Sequence, residues 1–282
     1  CVSVCMITYN HEKFVAQAIE GVLMQQTSFP IELVIGEDYS TDNTRKICEE
    51  YKAKYPNQIR LLLHESNLGM MQNFITTLQA CTSKYIALCE GDDYWTDPYK
   101  LQKQVDFLEA NPDFSICFHS VKIWQDGKYI EDYITREVTE TTTILDLAKG
   151  NYIHTPSVVF RKNNDVTKQF ISKPFPIGDY VLHMLNAKYG KIKKLPDCMS
   201  VYRLHANGSW GQKDDEYRIS IWIDLLVKLS PYFQGKVKNV LELQTGKLCC
   251  DKYITLIIKN KNEETLKYFQ MAAKFAPDYL HE

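Results

Sequence analysis

The segment Leu88-Cys89-Glu90-Gly91-Asp92-Asp93-Tyr94-Trp95 runs an apolar stretch into three carboxylates within four residues. Like charges this close disfavour one another's ionised forms unless a cation or hydrogen-bond donors offset them. A hard divalent ion is the natural offset. Mg2+ or Mn2+ prefers oxygen donors and takes only one or two protein carboxylates where substrate phosphates supply the rest, so this sparse set fits an ion carrying a diphosphate. An acidic turn often does no more than cap the next helix. Here Asp97, just ahead of Pro98 at the first helical position, already fills that post.

A second acidic loop, Gly36-Glu37-Asp38-Tyr39-Ser40-Thr41-Asp42-Asn43-Thr44, follows another apolar run. A carboxylate there can accept the imide hydrogen of a uracil ring or ribose hydroxyls. Asp38 is assigned to the base contact and Asp42 is left as a helix cap.

These loops need a frame that delivers them to one edge. Over the first hundred residues, apolar runs at Val2–Ile7, Ile31–Ile35, Ile59–Leu63 and Tyr85–Cys89 alternate with helix-period segments. The helical segments carry Phe14, Ala18, Val22 and Leu23, then Ile47, Tyr51 and Tyr55, then Phe74, Leu78 and Cys81, then Leu101, Val105 and Leu108. That alternation predicts a mainly parallel sheet covered by helices, with ligands bound outside the carboxyl ends of its strands. Thr8-Tyr9-Asn10, Gly36–Asn43, Glu65–Gly69 and Glu90–Trp95 all fall there.

Past Asn111-Pro112 the texture turns more antiparallel. Ser115–Trp124 and Lys128–Ile134 flank Asp126-Gly127, a strong hairpin signal. A short helix at Ile144–Lys149, a strand at Ser157–Arg161, a helix at Asp179–Tyr189 closed by Gly190 and a strand at Met199–Arg203 follow, and the pattern is helical from Asp214 onward. No Gly-x-Gly-x-x-Gly follows the first strand and no Walker loop occurs, so glycines do not handle any phosphate here.

Bulk properties narrow the partners. The 282 residues are 45% hydrophobic and 24% charged with a net charge of −2, which excludes a basic nucleic-acid footprint. Nine scattered cysteines, two of them adjacent at Cys249-Cys250, read as buried reduced thiols in a cytoplasmic setting. No run reaches the roughly 20 apolar residues that span a bilayer. The lysine-bearing apolar stretch Lys236–Lys274 reads as a helical pair packed on the main domain, with peripheral contact at the inner face of the membrane as the alternative.

Four motifs in order, Val2-Ser3-Val4-Cys5-Met6-Ile7-Thr8-Tyr9-Asn10, Glu37–Thr44, Asn67-Leu68-Gly69 and Glu90-Gly91-Asp92-Asp93, resemble the family 2 glycosyltransferases of the GT-A fold. The resemblance implies an α/β fold, a GT-A-type Rossmann-like mixed sheet with helices on both faces, plus a C-terminal helical appendage. It divides the chain into a nucleotide-sugar-binding half (1–112), an acceptor-binding half of the same domain (113–212) and a C-terminal helical region (213–282). Thr8, Tyr9, Asn10, Glu37, Asp38, Asn67 and Gly69 are thereby expected to bind the nucleotide, Asp92 to touch ribose or metal, and Asp93 to ligate Mn2+ or Mg2+. Glu37, Tyr39 and Glu90 depart from the commonest form, where Asp, Gly and Asp are usual, and the longer side chain of Glu90 argues against its ligating the metal directly.

In the second half, Pro176-Ile177-Gly178-Asp179-Tyr180 resembles the place from which relatives present the catalytic base, although Asp179 is also a good helix N-cap. Val201–Ser209 resembles a Tyr-Arg-x-His segment that closes over the diphosphate, with His205 as metal or phosphate ligand and Arg203 supplying charge. Thr155-Pro156-Ser157 would lie near the acceptor, and Trp95, Trp124 and Trp210 are sugar-stacking or core residues.

The expected reaction is inverting, metal-dependent transfer of a hexosyl group, from a UDP-linked donor to a hydroxyl acceptor on a glycan or lipid-linked glycan, in bacterial polysaccharide synthesis. Two rivals are a nucleotidyltransferase and a catalytically inactive sugar-nucleotide-binding or scaffolding subunit. The glycine-free Thr8–Lys13 loop speaks against the first, and Asp92, Asp93, Asp179 and His205 together against the second.

Overall fold

The computed structural model describes residues 1–135, 137–205, 208, 213–259 and 262–280. In chain order the first half holds β1 (Val2–Thr8), α1 (Val15–Leu23), β2 (Ile31–Glu37), α2 (Thr44–Lys54), β3 (Ile59–Leu63), α3 (Met70–Ala80), β4 (Tyr85–Leu88), β5 (Tyr94–Trp95) and α4 (Lys100–Ala110). The rest holds β6 (Phe114–Gln125), β7 (Lys128–Ile130), β8 (Thr141–Thr142), α5 (Ile144–Leu147), β9 (Val159–Arg161), α6 (Asn164–Ile171), α7 (Asp179–Asn186), β10 (Lys191–Leu204), α8 (Asp215–Leu229), α9 (Gly235–Ile258) and α10 (Asn262–Phe275).

The strands form one mixed sheet in the order β3-β2-β1-β4-β9-β6-β10-β5, with β7 on β6 and β8 on β10. β1 runs parallel to both β2 and β4, and every one of its residues is buried, as expected of a strand covered on both faces. Thr8 pairs with Glu37 at the ends of β1 and β2, so the loops after them leave the sheet side by side. Gly91 N–H donates to Ile7 O (2.9 Å) and brings the acidic loop to the same edge.

The second half is less antiparallel than its sequence suggests, because β6 and β10 pair in parallel. β9, antiparallel to both β4 and β6, joins the two halves of the sheet. β10 is also far longer than the Met199–Arg203 strand read from the sequence. Its first half carries Lys193, Lys194 and Pro196, and the register slips between Leu195 and Cys198, where proline cannot donate to the ladder. The Asp126-Gly127 turn closes β6 onto β7 as expected, with both residues at positive φ (49° and 80°). α4 starts at Lys100, later than Pro98 implies, because Asp97 spends its side chain on Tyr99 N–H (2.7 Å) and its carbonyl on Lys100 N–H. The segment read as a strand from Ser157 opens instead as a 3-10 turn at Thr155–Ser157.

Residues 1–143, 152–174 and 178–205 form one compact unit, which contains the whole sheet; 144–151, 175–177 and the segment from 206 onward form a second. Within the second unit α8, α9 and α10 close around Ile223, Cys249, Cys250, Leu256, Tyr268 and Ala272. Ile254, Ile257, Ile258, Leu266 and Phe269 stay exposed on α9 and α10, Ile258 at 76%. Among the described residues no helix is long and apolar enough to cross a membrane.

Candidate functional site

Each loop at the sheet edge is built by its own polar residues. Asn10, at φ 55°, turns the chain after β1, and its side-chain oxygen accepts Thr41 N–H (2.8 Å) while its own N–H donates to Ser40 Oγ (3.0 Å). Asp42 caps from one residue earlier than the nominal cap Asn43, accepting Thr44 N–H (2.9 Å) and Glu12 N–H (3.1 Å). The first two loops are thus stitched into one surface, from which Tyr9 projects 41% exposed.

Glu37 does not reach that surface. Its buried carboxylate, expected on the nucleotide, accepts Ser40 N–H (2.7 Å) and pairs with Arg45, so it shapes the loop from within. Asp38 is buried as well: Oδ1 accepts Leu68 N–H (2.7 Å), Oδ2 accepts Gly69 N–H (3.0 Å), and its carbonyl accepts Asn67 Nδ2 (3.0 Å). Asp38, Asn67 and Gly69 therefore form one unit that fixes the third loop, leaving Asp38 only its remaining lone pairs for a ligand.

The acidic loop sits deeper. Gly91 has no room for a side chain, since a Cβ would lie 2.5 Å from Thr8 Oγ1 and 3.1 Å from His11 Nδ1. Beyond it, β5 pairs antiparallel with Ser200 and Val201 of β10, which sets the residues that follow on β10 beside Asp92 and Asp93. Arg203 N–H donates to Asp93 Oδ1 (2.8 Å), and His205 Nε2 donates to Asp92 Oδ2 (3.0 Å). Asp93 Oδ2 is buried without a partner.

The electrostatics follow this geometry. Burial raises Asp93 well above the usual carboxylate range, and the neighbouring Asp92 and Glu90 add to it. Burial would raise Asp92 too, but the His205 hydrogen bond and the charges of His11 and His205 hold it below its ordinary value. Glu90 is pushed up to about 8 by burial, then by Asp92 and by Asp179, which places the base candidate of α7 within electrostatic reach of the acidic loop. Asp179 is the first residue of α7, with Gly178 in the cap position; its Oδ1 accepts Tyr180 N–H (2.7 Å) and its Oδ2 accepts the Thr155 hydroxyl (3.4 Å). The Thr155 segment thus lies beside the base candidate.

Arg203 is engaged within the protein. Its guanidinium is packed between the rings of Tyr94 (4.3 Å) and Phe14 (5.0 Å) and donates to Asp92 O (2.5 Å) and to Gln17, so it clamps the acidic loop from behind. Trp95 is a core residue whose indole N–H donates to Pro156 O (2.9 Å), whereas Trp210, with Ala206, Asn207 and Ser209 of the same motif, lies outside the described residues.

Two residues escaped the sequence reading. His11 brings Nε2 to 3.6 Å from Asp92 Oδ2. Burial lowers its pKa, against the pull of Asp92, which favours a neutral imidazole. Tyr202 packs at a tilt against His154 (5.1 Å between ring centroids), itself held by Asp132 (3.1 Å), and its phenol is raised by burial and then by the charges of Asp93, Glu90, Asp92 and Asp179. A histidine following a strand end and a tyrosine beside Arg203 were the only signals available.

The donor set can hold an ion. His11, Asp92 and His205 offer ligand atoms within 4.8 Å of one another, and so do Glu90, Asp92 and Asp93. The two expected ligands, Asp93 and His205, fall in different sets that share Asp92. The unpartnered Asp93 Oδ2 is the kind of buried atom a cation satisfies.

A mixed α/β sheet with an acidic loop at the carboxyl edge of its parallel strands is the GT-A arrangement of nucleotide-sugar enzymes. The chain belongs to glycosyl transferase family 2, whose pattern matches residues 3–167, more than half of its length. It is 41% identical over 209 residues to the uncharacterized protein Rv1520 of Mycobacterium tuberculosis, an alignment covering 74% of this chain and 60% of that relative, so the chain spans well under the relative's full length. In fold it resembles residues 1–349 of Staphylococcus aureus TarS in complex with UDP-GlcNAc (TM-score 0.68, 18% identity, 97% of this chain and 80% of that one). It also resembles the mannosyltransferase PcManGT of Pyrobaculum calidifontis in complex with GDP-Man and Mn2+ (TM-score 0.62, 14% identity, 98% and 81%).

Proposed function

We propose that this chain transfers a hexosyl group from a UDP-sugar to a hydroxyl of a glycan or lipid-linked glycan, with inversion and with a divalent ion at the acidic loop. The observation that carries the reading is the buried, unpartnered Asp93 Oδ2 in a loop whose neighbour Asp92 is already flanked by imidazoles. Family membership supports the reaction class.

In this reading Thr8, Tyr9, Asn10 and Asp38 shape the nucleoside pocket, and Asp92 and Asp93 with His205 hold Mn2+ or Mg2+. When bound, the ion stabilises negative charge on the departing diphosphate. Asp179 accepts the proton of the acceptor hydroxyl as that oxygen attacks the anomeric carbon from the face opposite the leaving group. Thr155 orients Asp179 by donating to Oδ2, leaving Oδ1 held by Tyr180 N–H. With its carboxyl pushed up to about 8, Glu90 is neutral near pH 7 and adds no further negative charge to the acidic loop. The exposed isoleucines of α9 with Leu266 and Phe269 of α10 would rest on the membrane that carries a lipid-linked acceptor.

Isothermal titration with UDP, GDP and CMP, each with and without Mn2+, tests the donor class. Mn2+-dependent binding of UDP alone is expected. Preference for another nucleotide would replace the donor, and absence of all nucleotide binding would sink the reading.

A further inference from the structure

His11 lies on the loop between β1 and α1, outside the acidic loop and outside the carboxylate set expected to carry an ion. Its surroundings fix it. Its backbone N–H donates to Thr44 Oγ1 (2.7 Å), Thr8 Oγ1 stands 3.3 Å from Nδ1, and the missing side chain of Gly91 leaves the space the ring occupies. Nδ1 is thereby committed to Thr8 and Nε2 faces Asp92. A polar partner on the far nitrogen is how metal-binding imidazoles are oriented.

The spacing suits one ion. Donor atoms bound at roughly 2.0–2.2 Å in tetrahedral or cis-octahedral positions lie about 3.0–3.6 Å apart. Asp92 Oδ2 is 3.0 Å from His205 Nε2 and 3.6 Å from His11 Nε2, and all three atoms fall within 4.8 Å of each other. His11 and His205 meet edge to face at 6.1 Å between ring centroids, which directs the two nitrogens at the same carboxylate from different sides.

We propose that His11, Asp92 and His205 form a two-imidazole, one-carboxylate seat for a divalent transition ion, with His11 as the donor that makes the protein choose Mn2+ over Mg2+. Mg2+ demands oxygen ligands and keeps its waters, whereas imidazole suits the transition series. Asp92, common to both groups of donor atoms, then holds the ion from inside the loop, beside the unpartnered Oδ2 of Asp93. The inference deepens the metal-dependent reading above and rests on it.

The test uses the metal alone. Binding of Mn2+ to the full chain is followed by loss of the free-ion electron paramagnetic resonance signal, with Mg2+ as competitor, and bound Mn2+ is examined for 14N couplings. His11→Ala and the closer-sized His11→Gln are compared with the parent, and circular dichroism confirms that each is folded. Expected are a Mn2+ preference of at least about tenfold in the parent, a loss of about tenfold in Mn2+ affinity with Mg2+ affinity held within about twofold in both variants, and 14N coupling reduced from two imidazoles to one. No Mn2+ preference in the parent, or affinity and couplings unchanged in a folded variant, would overturn the proposal. UDP titration on the same samples separates the two readings: a His11-dependent Mn2+ preference without UDP binding keeps the ion seat and removes the donor pocket.

Discussion

Replacing Glu90 by Gln removes a heavily perturbed carboxyl at the sheet edge while preserving its size. In the folded chain burial, Asp92 and Asp179 raise this carboxyl from 4.5 to about 8, so the native state binds a proton there that the unfolded chain has released by neutral pH. A group raised in this way contributes its full stability below pH 4.5 and loses it as pH rises towards 8. At pH 7 the burden is about 3 kcal/mol, an upper figure because the group is not wholly sealed from solvent. Glu90→Gln is always neutral and escapes it. In EDTA, where no ion compensates the carboxylates, thermal midpoints are measured for parent and variant at pH 5, 7 and 9. The variant is expected to match the parent at pH 5 and to exceed it by several degrees at pH 7 and more at pH 9, given roughly 2–4 °C per kcal/mol for chains of this order of size. Parallel pH curves for the two proteins would refute the reasoning, since they would mean that Glu90 is ionised in the native state at no cost.

Three further outcomes follow from the same geometry. Asp179→Asn should lower kcat by about 10²–10⁴ while leaving the Kd for UDP with Mn2+ unchanged, and retained turnover would remove Asp179 as the base. Arg203→Lys loses both ring contacts and the fork that spans Asp92 O and Gln17 Oε1, so the thermal midpoint should fall by an amount equivalent to about 2–3 kcal/mol; an unchanged midpoint with weakened UDP binding would instead place the guanidinium on the donor. Lys100, fully buried over Trp95 (4.1 Å) and donating to the side chain of Gln104 (2.8 Å), is lowered from 10.5 to about 7 by burial. The native state then binds fewer protons than the unfolded chain between pH 7 and 10.5, so this lysine makes stability rise with pH across that window. Lys100→Met should abolish that component of the rise, as read by urea midpoints at pH 7 and 10, and an identical pH dependence in the variant would show that Lys100 is not titrating.

What the sequence made legible was whatever lies within one strand and the loop that leaves it. β1, β2 and β4 declare themselves as near-continuous apolar runs because most of their residues are buried, and Asp126-Gly127 declares its turn because few other pairs tolerate two positive φ angles. The site resisted where it depends on pairing between distant segments. Nothing local to Arg203 says whether its side chain reaches outward to a diphosphate or inward to a carbonyl. The two-residue strand β5 decides it: once Tyr94 pairs with Val201, Arg203 is carried past the acidic loop and meets the rings of Tyr94 and Phe14. The same pairing sets His205 against Asp92, and only then does His11, fixed at the end of β1, acquire a partner. Motifs therefore named segments that the fold brings to one edge, while β5, too short to leave a period in the sequence, determines which side chains of β10 meet Asp92 and Asp93 and which pack behind them.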